Sequence, residues 1–192
     1  KGLIPPYEFI PVAEQYGLIQ ALQDIVLEDI CELLEILNEQ KLIDDKFKLS
    51  INISHSQFKS SNFGSSLLNT ISQFKVSSKQ ISLEITESML SHDISNTVKQ
   101  MTEIASEGFS FSIDDFGTGY SNLNQVSKLS CHILKIDRSF INAMEGGSIR
   151  SSLIPYIVQM ANELHIDVVA EGVENIMQHQ ALKNLGILNG QG

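Results

Sequence analysis

The sequence predicts a parallel β/α barrel, incomplete at both ends, and three observations predict it. Short strand-like runs alternate with longer helix-like ones along the 192 residues, which implies parallel pairing through right-handed crossovers. Side chains two apart on a strand share a face, and one face of every strand is apolar. On the other face a polar residue closes each of five strands: Asn52, Glu84, Asp114, Lys135 and Glu171. Polar groups gathered at the carboxyl ends of parallel strands mark the catalytic face of a barrel. An open doubly wound sheet is the alternative, but its ligands collect at one switch point rather than at every strand end.

Each element has its own warrant. Residues 20–40 carry Leu22, Ile25, Val26, Ile30, Leu33, Leu34 and Leu37 at helical spacing. Residues 47–52 alternate as a strand, with Leu49 and Ile51 on the apolar face and Ser50 and Asn52 on the other. A helix is expected at 63–74. The strand at 80–85 sets Leu83 and Ile85 against Ser82 and Glu84. After a helix at 95–107, the strand at 109–114 sets Phe111 and Ile113 against Ser112 and Asp114. A short helix at 122–128 leads to a strand at 132–137, with Leu134 and Ile136 opposite Lys135. A helix at 150–164 follows, in which Pro155 is acceptable only within the first turn. The strand at 166–171 places Val168 and Ala170 opposite Glu171, and the helix at 175–185 is closed by Gly186. Serines one layer below the polar row leave room for ordered water or ligand. The opening Lys1-Gly2-Leu3-Ile4-Pro5-Pro6 reads as a turn. Eight strand–helix units usually need at least about 200 residues, so the expectation is one domain over 1–192 that lacks a first strand and a closing segment.

Composition narrows the function. A hydrophobic fraction of 42% supports a sizeable core, and the net charge of −10 argues against nonspecific binding to nucleic acid or an anionic membrane. No run is long and apolar enough to span a bilayer. Cys31 and Cys131 lack metal-site spacing and read as reduced, packed thiols of a cytoplasmic protein. His55, His92, His132, His165 and His179 form no ligand spacing such as HxxxH.

The sharpest local signal is Asp114-Asp115-Phe116-Gly117-Thr118-Gly119-Tyr120-Ser121. Two adjacent carboxylates where a strand becomes a glycine-containing loop offer hard oxygen ligands to a divalent cation. Alone, the pair reads more readily as a solvated acidic turn. Glu84, Glu87, Asp137, Glu171 and Glu174 extend it to a set of seven acids, which places much of the negative excess in one site.

Ordered motifs carry a family resemblance along the whole chain. They are Pro6-Tyr7-Glu8-Phe9-Ile10-Pro11-Val12-Ala13-Glu14, Ile51-Asn52-Ile53-Ser54 and Leu83-Glu84-Ile85-Thr86-Glu87-Ser88. The 114–121 loop, Leu134-Lys135-Ile136-Asp137-Arg138-Ser139-Phe140, Val169-Ala170-Glu171-Gly172-Val173-Glu174 and Gln191-Gly192 complete the set. The chain resembles an EAL domain, the bacterial phosphodiesterase domain that hydrolyses cyclic di-GMP. The resemblance implies an EAL-type modified TIM (β/α)8 barrel and hydrolysis of cyclic di-GMP to linear pGpG with two Mg²⁺ or Mn²⁺ ions. By the same resemblance, Asn52, Glu84 and Asp114 hold one ion. Asp114 bridges to a second ion that Asp115 also holds, and Glu171 binds metal directly or through water and can assist deprotonation. Lys135 stands beside the attacking water as base or orienting group. Asp137, Glu174 and Gln191 support substrate or the metal shell, and Glu87 positions the loop at 115–121. The resemblance further implies a homodimer through helices near 122–128 and 150–164, in a parent that other domains can anchor to a membrane. The Glu-Ala-Leu strand itself is expected before Lys1, and His132 stands where the family often has aspartate. A cyclic di-GMP receptor or interaction module without catalysis stays open as an alternative. An enolase-like metal-assisted barrel fits Lys135 and the acids but not the 114–121 loop.

Overall fold

The computed structural model describes residues 2–90, 93–119, 123–144 and 149–192. The chain forms two compact units, Lys1–Ser82 and Leu83–Gly192. The first unit opens with helix α1 (Pro6–Gln15), in a stretch where sequence reasoning assigns no element beyond the turn at 1–6. The two prolines of that turn also start the helix. Pro5 is the N-cap, and Pro6 takes the first helical position, where a missing N–H costs nothing. Helix α2 (Ile19–Glu39) buries Gln23, Leu27, Cys31 and Leu34 along one stripe. Of the apolar residues that predicted α2, Ile25, Val26 and Leu33 are exposed. The helix is apolar on more than the face it buries.

Strand β1 (Leu49–Asn52) is shorter than expected. It is followed by helix α3 (His55–Phe58), begun by a capping box in which Ser54 and Gln57 bond reciprocally. Helix α4 (Phe63–Ile71) packs Phe63 edge-on to Phe58, with ring centroids 6.0 Å apart. A 3-10 turn at Ser78–Gln80 presents Gln80 to Asn38, and the two amides exchange hydrogen bonds of 3.0 and 2.9 Å.

Strand β2 (Ile81–Thr86) carries the chain across the unit boundary. The second unit continues through helix α5 (Ile94–Ser106), strand β3 (Ser110–Phe116), helix α6 (Leu123–Val126) and strand β4 (Ile133–Ile136). Helix α7 (Arg138–Asn142), helix α8 (Ile149–Glu163), strand β5 (Asp167–Glu171), helix α9 (Ile176–Asn184) and strand β6 (Asn189–Gln191) complete it. Its strands follow chain order from β2 to β6, and β3 to β6 pair in parallel. This is the strand–helix alternation of a β/α barrel. Leu83, Ile85, Phe111, Ile113, Leu134, Ile136 and Ala170 are fully buried on one face of the sheet. Glu84, Ser112 and Lys135 are buried on the other.

Three expectations need correction. β3 does not stop at Asp114 but runs through Asp115 to Phe116. The short helix covers Leu123–Val126 rather than 122–128; Asn122, like Tyr120 and Ser121 of the loop, lies outside the described residues. Pro155 is the seventh residue of α8, in its second turn, where the ring lacks a donor and crowds the preceding turn. Burial of Ile154, Ile157, Val158 and Ala161 along one stripe holds the helix through that defect. Among the described residues no helix is long and apolar enough to cross a membrane. Both cysteines are free thiols, and burial pushes Cys31 up to about 11 and Cys131 up to about 12.

Helix α5 begins at Asp93, whose carboxylate accepts from the Asn96 N–H at 3.1 Å. Asp93→Ala removes that cap and a negative charge at the helix N-terminus. It is expected to lower stability by about 1 kcal/mol in urea unfolding.

Candidate metal and phosphodiester site

Asp114 and Asp115 are neighbours on a strand, so ordinary pleating would send their carboxylates to opposite faces. A bulge prevents this. Ser112 and Ile113 stand opposite Ile133 and Leu134, yet Phe116 stands opposite Ile136. β3 therefore spends one residue more than β4 across the interval, and bulges of this kind re-aim side chains. Asp115 adopts the left-handed region at φ 54°, which Asp enters more readily than most residues. Its N–H donates to the Asp114 carboxylate at 3.0 Å, and its carbonyl accepts from the Thr118 hydroxyl at 2.8 Å. The two carboxylates consequently join Glu171, with one oxygen of each within 4.8 Å of the others.

Lys135 sits among these acids and is almost wholly buried. Its ammonium lies 2.6 Å from Glu171, 3.2 Å from Glu84 and 3.5 Å from Asp114. Burial works against the charged ammonium. The hydrogen bond to Glu171 and the charges of Glu84 and Asp114 outweigh it, so Lys135 is held protonated above the ordinary lysine range. Loss of hydration against the cleft wall pushes the Asp115 carboxyl up, and Asp114 and Asp137 push it further. Burial raises Glu171 too; the Lys135 hydrogen bond lowers it and Asp114 raises it again.

An open cleft of about 550 Å³ adjoins this cluster, bordered by Asp115, Asp137, Arg138, Glu171, Gly172 and Gln191. Asp137 also caps α7, accepting from the Ser139 N–H at 3.0 Å. Gln191 pairs with Glu171 in the sheet, which sets it at the cleft edge. Glu174 is exposed in the turn before α9 and is not among the cleft-lining residues. Asn52 ends β1 in the first unit with its side chain exposed.

Glu87 is 3% exposed and shapes the loop after β3. One of its carboxylate oxygens accepts from the Gly117 N–H at 2.8 Å and from the Gly119 N–H at 2.9 Å. Gly117 has φ 96°, and a Cβ there would strike the Phe140 ring. A Cβ on Gly119 would come within 2.9 Å of the Glu87 carboxyl carbon. Close approach thus favours glycine at both positions, and at Gly117 the backbone angle does too.

All the donors in this cluster are oxygens, and three of them are carboxylates on the ends of rigid strands. That set suits Mg²⁺ or Mn²⁺ rather than a softer metal. Burial is the first cause of the upward shifts at Asp115 and Glu171, and the neighbouring carboxylates add to it.

The EAL domain family model matches residues 1–192, the entire chain. The chain belongs to the EAL domain family. It is 34% identical over 191 residues to the bifunctional diguanylate cyclase/cyclic di-GMP phosphodiesterase MucR of Pseudomonas aeruginosa, covering 100% of this chain and 28% of that protein. It is 32% identical over 189 residues to the probable cyclic di-GMP phosphodiesterase PdeB of Escherichia coli, covering 98% of this chain and 35% of that one. The chain thus spans only about a third or less of these curated EAL relatives. A solved EAL structure, the MucR phosphodiesterase in complex with cyclic di-GMP, superimposes with a TM-score of 0.92 at 33% identity. That likeness covers 100% of this chain and 76% of the solved one.

Arg138 is a cleft residue that sequence reasoning did not single out. In sequence it is the second cation of the Lys135–Phe140 motif, next to Asp137, and nothing there separates it from an ordinary surface charge.

Two outcomes follow from this electrostatic arrangement. Asp115 has a folded-state pKa above its unfolded value, so its ionisation opposes folding increasingly as pH rises through that raised pKa. Asp115→Asn is therefore expected to raise the melting temperature of the metal-free protein at pH 7. The gain should vanish below about pH 4, where the carboxyl is neutral in both states. Thermal scans in EDTA across pH check this. Glu87→Ala removes the shared acceptor of two amides, and hydrogen exchange at Gly117 and Gly119 is expected to accelerate by about tenfold or more.

Proposed function

We propose that this EAL domain hydrolyses one phosphodiester bond of cyclic di-GMP to give linear pGpG. The observation that carries the reading is the convergence of Asp114, Asp115 and Glu171 beside a cleft, brought about by a strand bulge that turns adjacent carboxylates to one place. The names of the MucR and PdeB relatives support the same substrate and reaction.

In this reading Glu84, Asp114, Asp115 and Glu171 would hold two divalent ions, Mg²⁺ or Mn²⁺. When bound, such ions stabilise the attacking and leaving oxygens of an in-line displacement and make hydroxide available near neutral pH. The oxygen of water bonds to phosphorus while the P–O3′ bond breaks, leaving the 5′-phosphate of pGpG, and the departing O3′ takes a proton from solvent to become the free 3′-hydroxyl. Glu171 takes the proton from that water. Its raised pKa brings it nearer the working pH than an ordinary glutamate. Lys135 orients and balances charge rather than accepting a proton, because three carboxylates hold its ammonium protonated. Gln191 and Asp137 line the cleft that receives the nucleotide, and Glu87 fixes the loop beside it. We place homodimer contacts on α6 and on α8, where Leu153 and Tyr156 are exposed.

The test is conversion of cyclic di-GMP by the full-length protein with Mg²⁺ or Mn²⁺, followed by chromatography of the products. Turnover to pGpG that EDTA abolishes is expected. Asp114→Ala should lower kcat/KM by at least about a hundredfold while circular dichroism stays unchanged. Tight nucleotide binding without turnover would make the domain a receptor, and full activity in Asp114→Ala would refute the assignment of that carboxylate.

A further inference from the structure

The cleft is acidic on three sides, yet the cation at its edge has not joined the acids. Asp115, Asp137 and Glu171 border the same space as Arg138. Arg138 has an electrostatic interaction with Asp115, but among the described residues it makes no ion pair and donates no hydrogen bond. Lys135 shows what an available cation does in this neighbourhood, since it meets three carboxylates at once. The Arg138 guanidinium keeps its donors unused.

Two features fix where that guanidinium starts. The Asp137 carboxylate caps α7 through the Ser139 N–H and so sets the first helical residue, Arg138, against the cleft. Opposite it, Gly172 follows Glu171 with φ 70°. A Cβ on Gly172 would lie 2.6 Å from the Arg138 Cβ and 3.4 Å from its Cα. Those atoms belong to the rigid root of the side chain and cannot swing aside. Only glycine allows the end of β5 and the start of α7 to approach this closely. The root of Arg138 is therefore packed against β5, and the residue borders the cleft.

We propose that Arg138 is a substrate-positioning residue that grips the second phosphate of the cyclic dinucleotide, and that Gly172 is the residue that seats it. The proposal rests on the phosphodiesterase reading above. A cyclic dinucleotide carries two phosphates, and only one can lie at the carboxylate cluster where the bond is cut. The other needs a counter-charge across the cleft. A guanidinium matches two phosphate oxygens with two parallel N–H donors, which a point charge cannot do.

The experiment compares Arg138→Ala, Arg138→Lys and unsubstituted full-length protein on two substrates with Mg²⁺. One is cyclic di-GMP, and the other is bis(p-nitrophenyl) phosphate, which has a single phosphodiester and no second phosphate. Arg138→Ala is expected to raise KM for cyclic di-GMP by about tenfold to a hundredfold, with kcat changed less than about threefold. Turnover of the one-phosphate substrate should not change. Arg138→Lys should recover part of the loss, and Gly172→Ala should raise KM for cyclic di-GMP as Arg138→Ala does. An unchanged KM in Arg138→Ala, or equal losses on both substrates, overturns the proposal. If the unsubstituted protein binds cyclic di-GMP without cutting it, the hydrolytic reading fails alone, and Arg138→Ala must still weaken equilibrium binding by the same factor. A protein that neither cuts nor binds the dinucleotide overturns both readings.

Discussion

The second unit is organised around one buried ammonium. Strands β2, β3, β4 and β5 bring Glu84, Asp114, Lys135 and Glu171 to the same level of the sheet, and without the lysine three carboxylates would face one another in a poorly hydrated space. Like charges so placed shift their pKa values until some become neutral. Lys135 places a positive charge within reach of all three acids, and the parallel register that sets it between them is thereby tied to the charge pattern. Slipping any of these strands by one residue would put an apolar side chain into the acidic cluster and a charged one into the core.

The ammonium balances only part of that charge. Asp115 and Glu171 both have carboxyls pushed upward, and both border the open cleft. The surplus is concentrated where a ligand can reach it. The barrel-type layout accounts for the gathering of strand ends, but it does not account for Asp115, which pleating alone would turn away. The bulge and the left-handed backbone at that residue supply the last carboxylate. Local backbone strain at a site of concentrated charge is common where geometry serves chemistry rather than stability.

Much of this was legible in the sequence. Period-two alternation identified the strands and their buried faces, because β2, β3 and β4 really are covered on both sides and each face selects its residues. The polar residue near each strand end could be read for the same reason. Other features were hidden by physics that periodicity does not encode. Pro5 and Pro6 signal a turn and a helix start equally well, so α1 was missed. Pro155 violates a local rule that the buried stripe of α8 overrides. The bulge leaves no pattern, since one extra residue in a seven-residue strand looks like ordinary sequence. Arg138 was invisible for another reason: its interest lies in an ion pair it does not make, which only three dimensions reveal.

The unusual backbone at Asp115 also constrains how this domain can change over generations. The left-handed conformation there disfavours β-branched and bulky side chains, but it accepts asparagine almost as well as aspartate. The two are separated by a single base change. Asparagine keeps the turn, the bulge and the hydrogen bonds of the main chain while removing one negative charge from a crowded place. Selection for a stable fold therefore exerts no pressure against losing this carboxylate, and only selection for the chemistry itself can retain it. If the domain cuts its nucleotide as proposed, its descendants have a short path from enzyme to inert scaffold, and the shape of the protein would carry little trace of the passage.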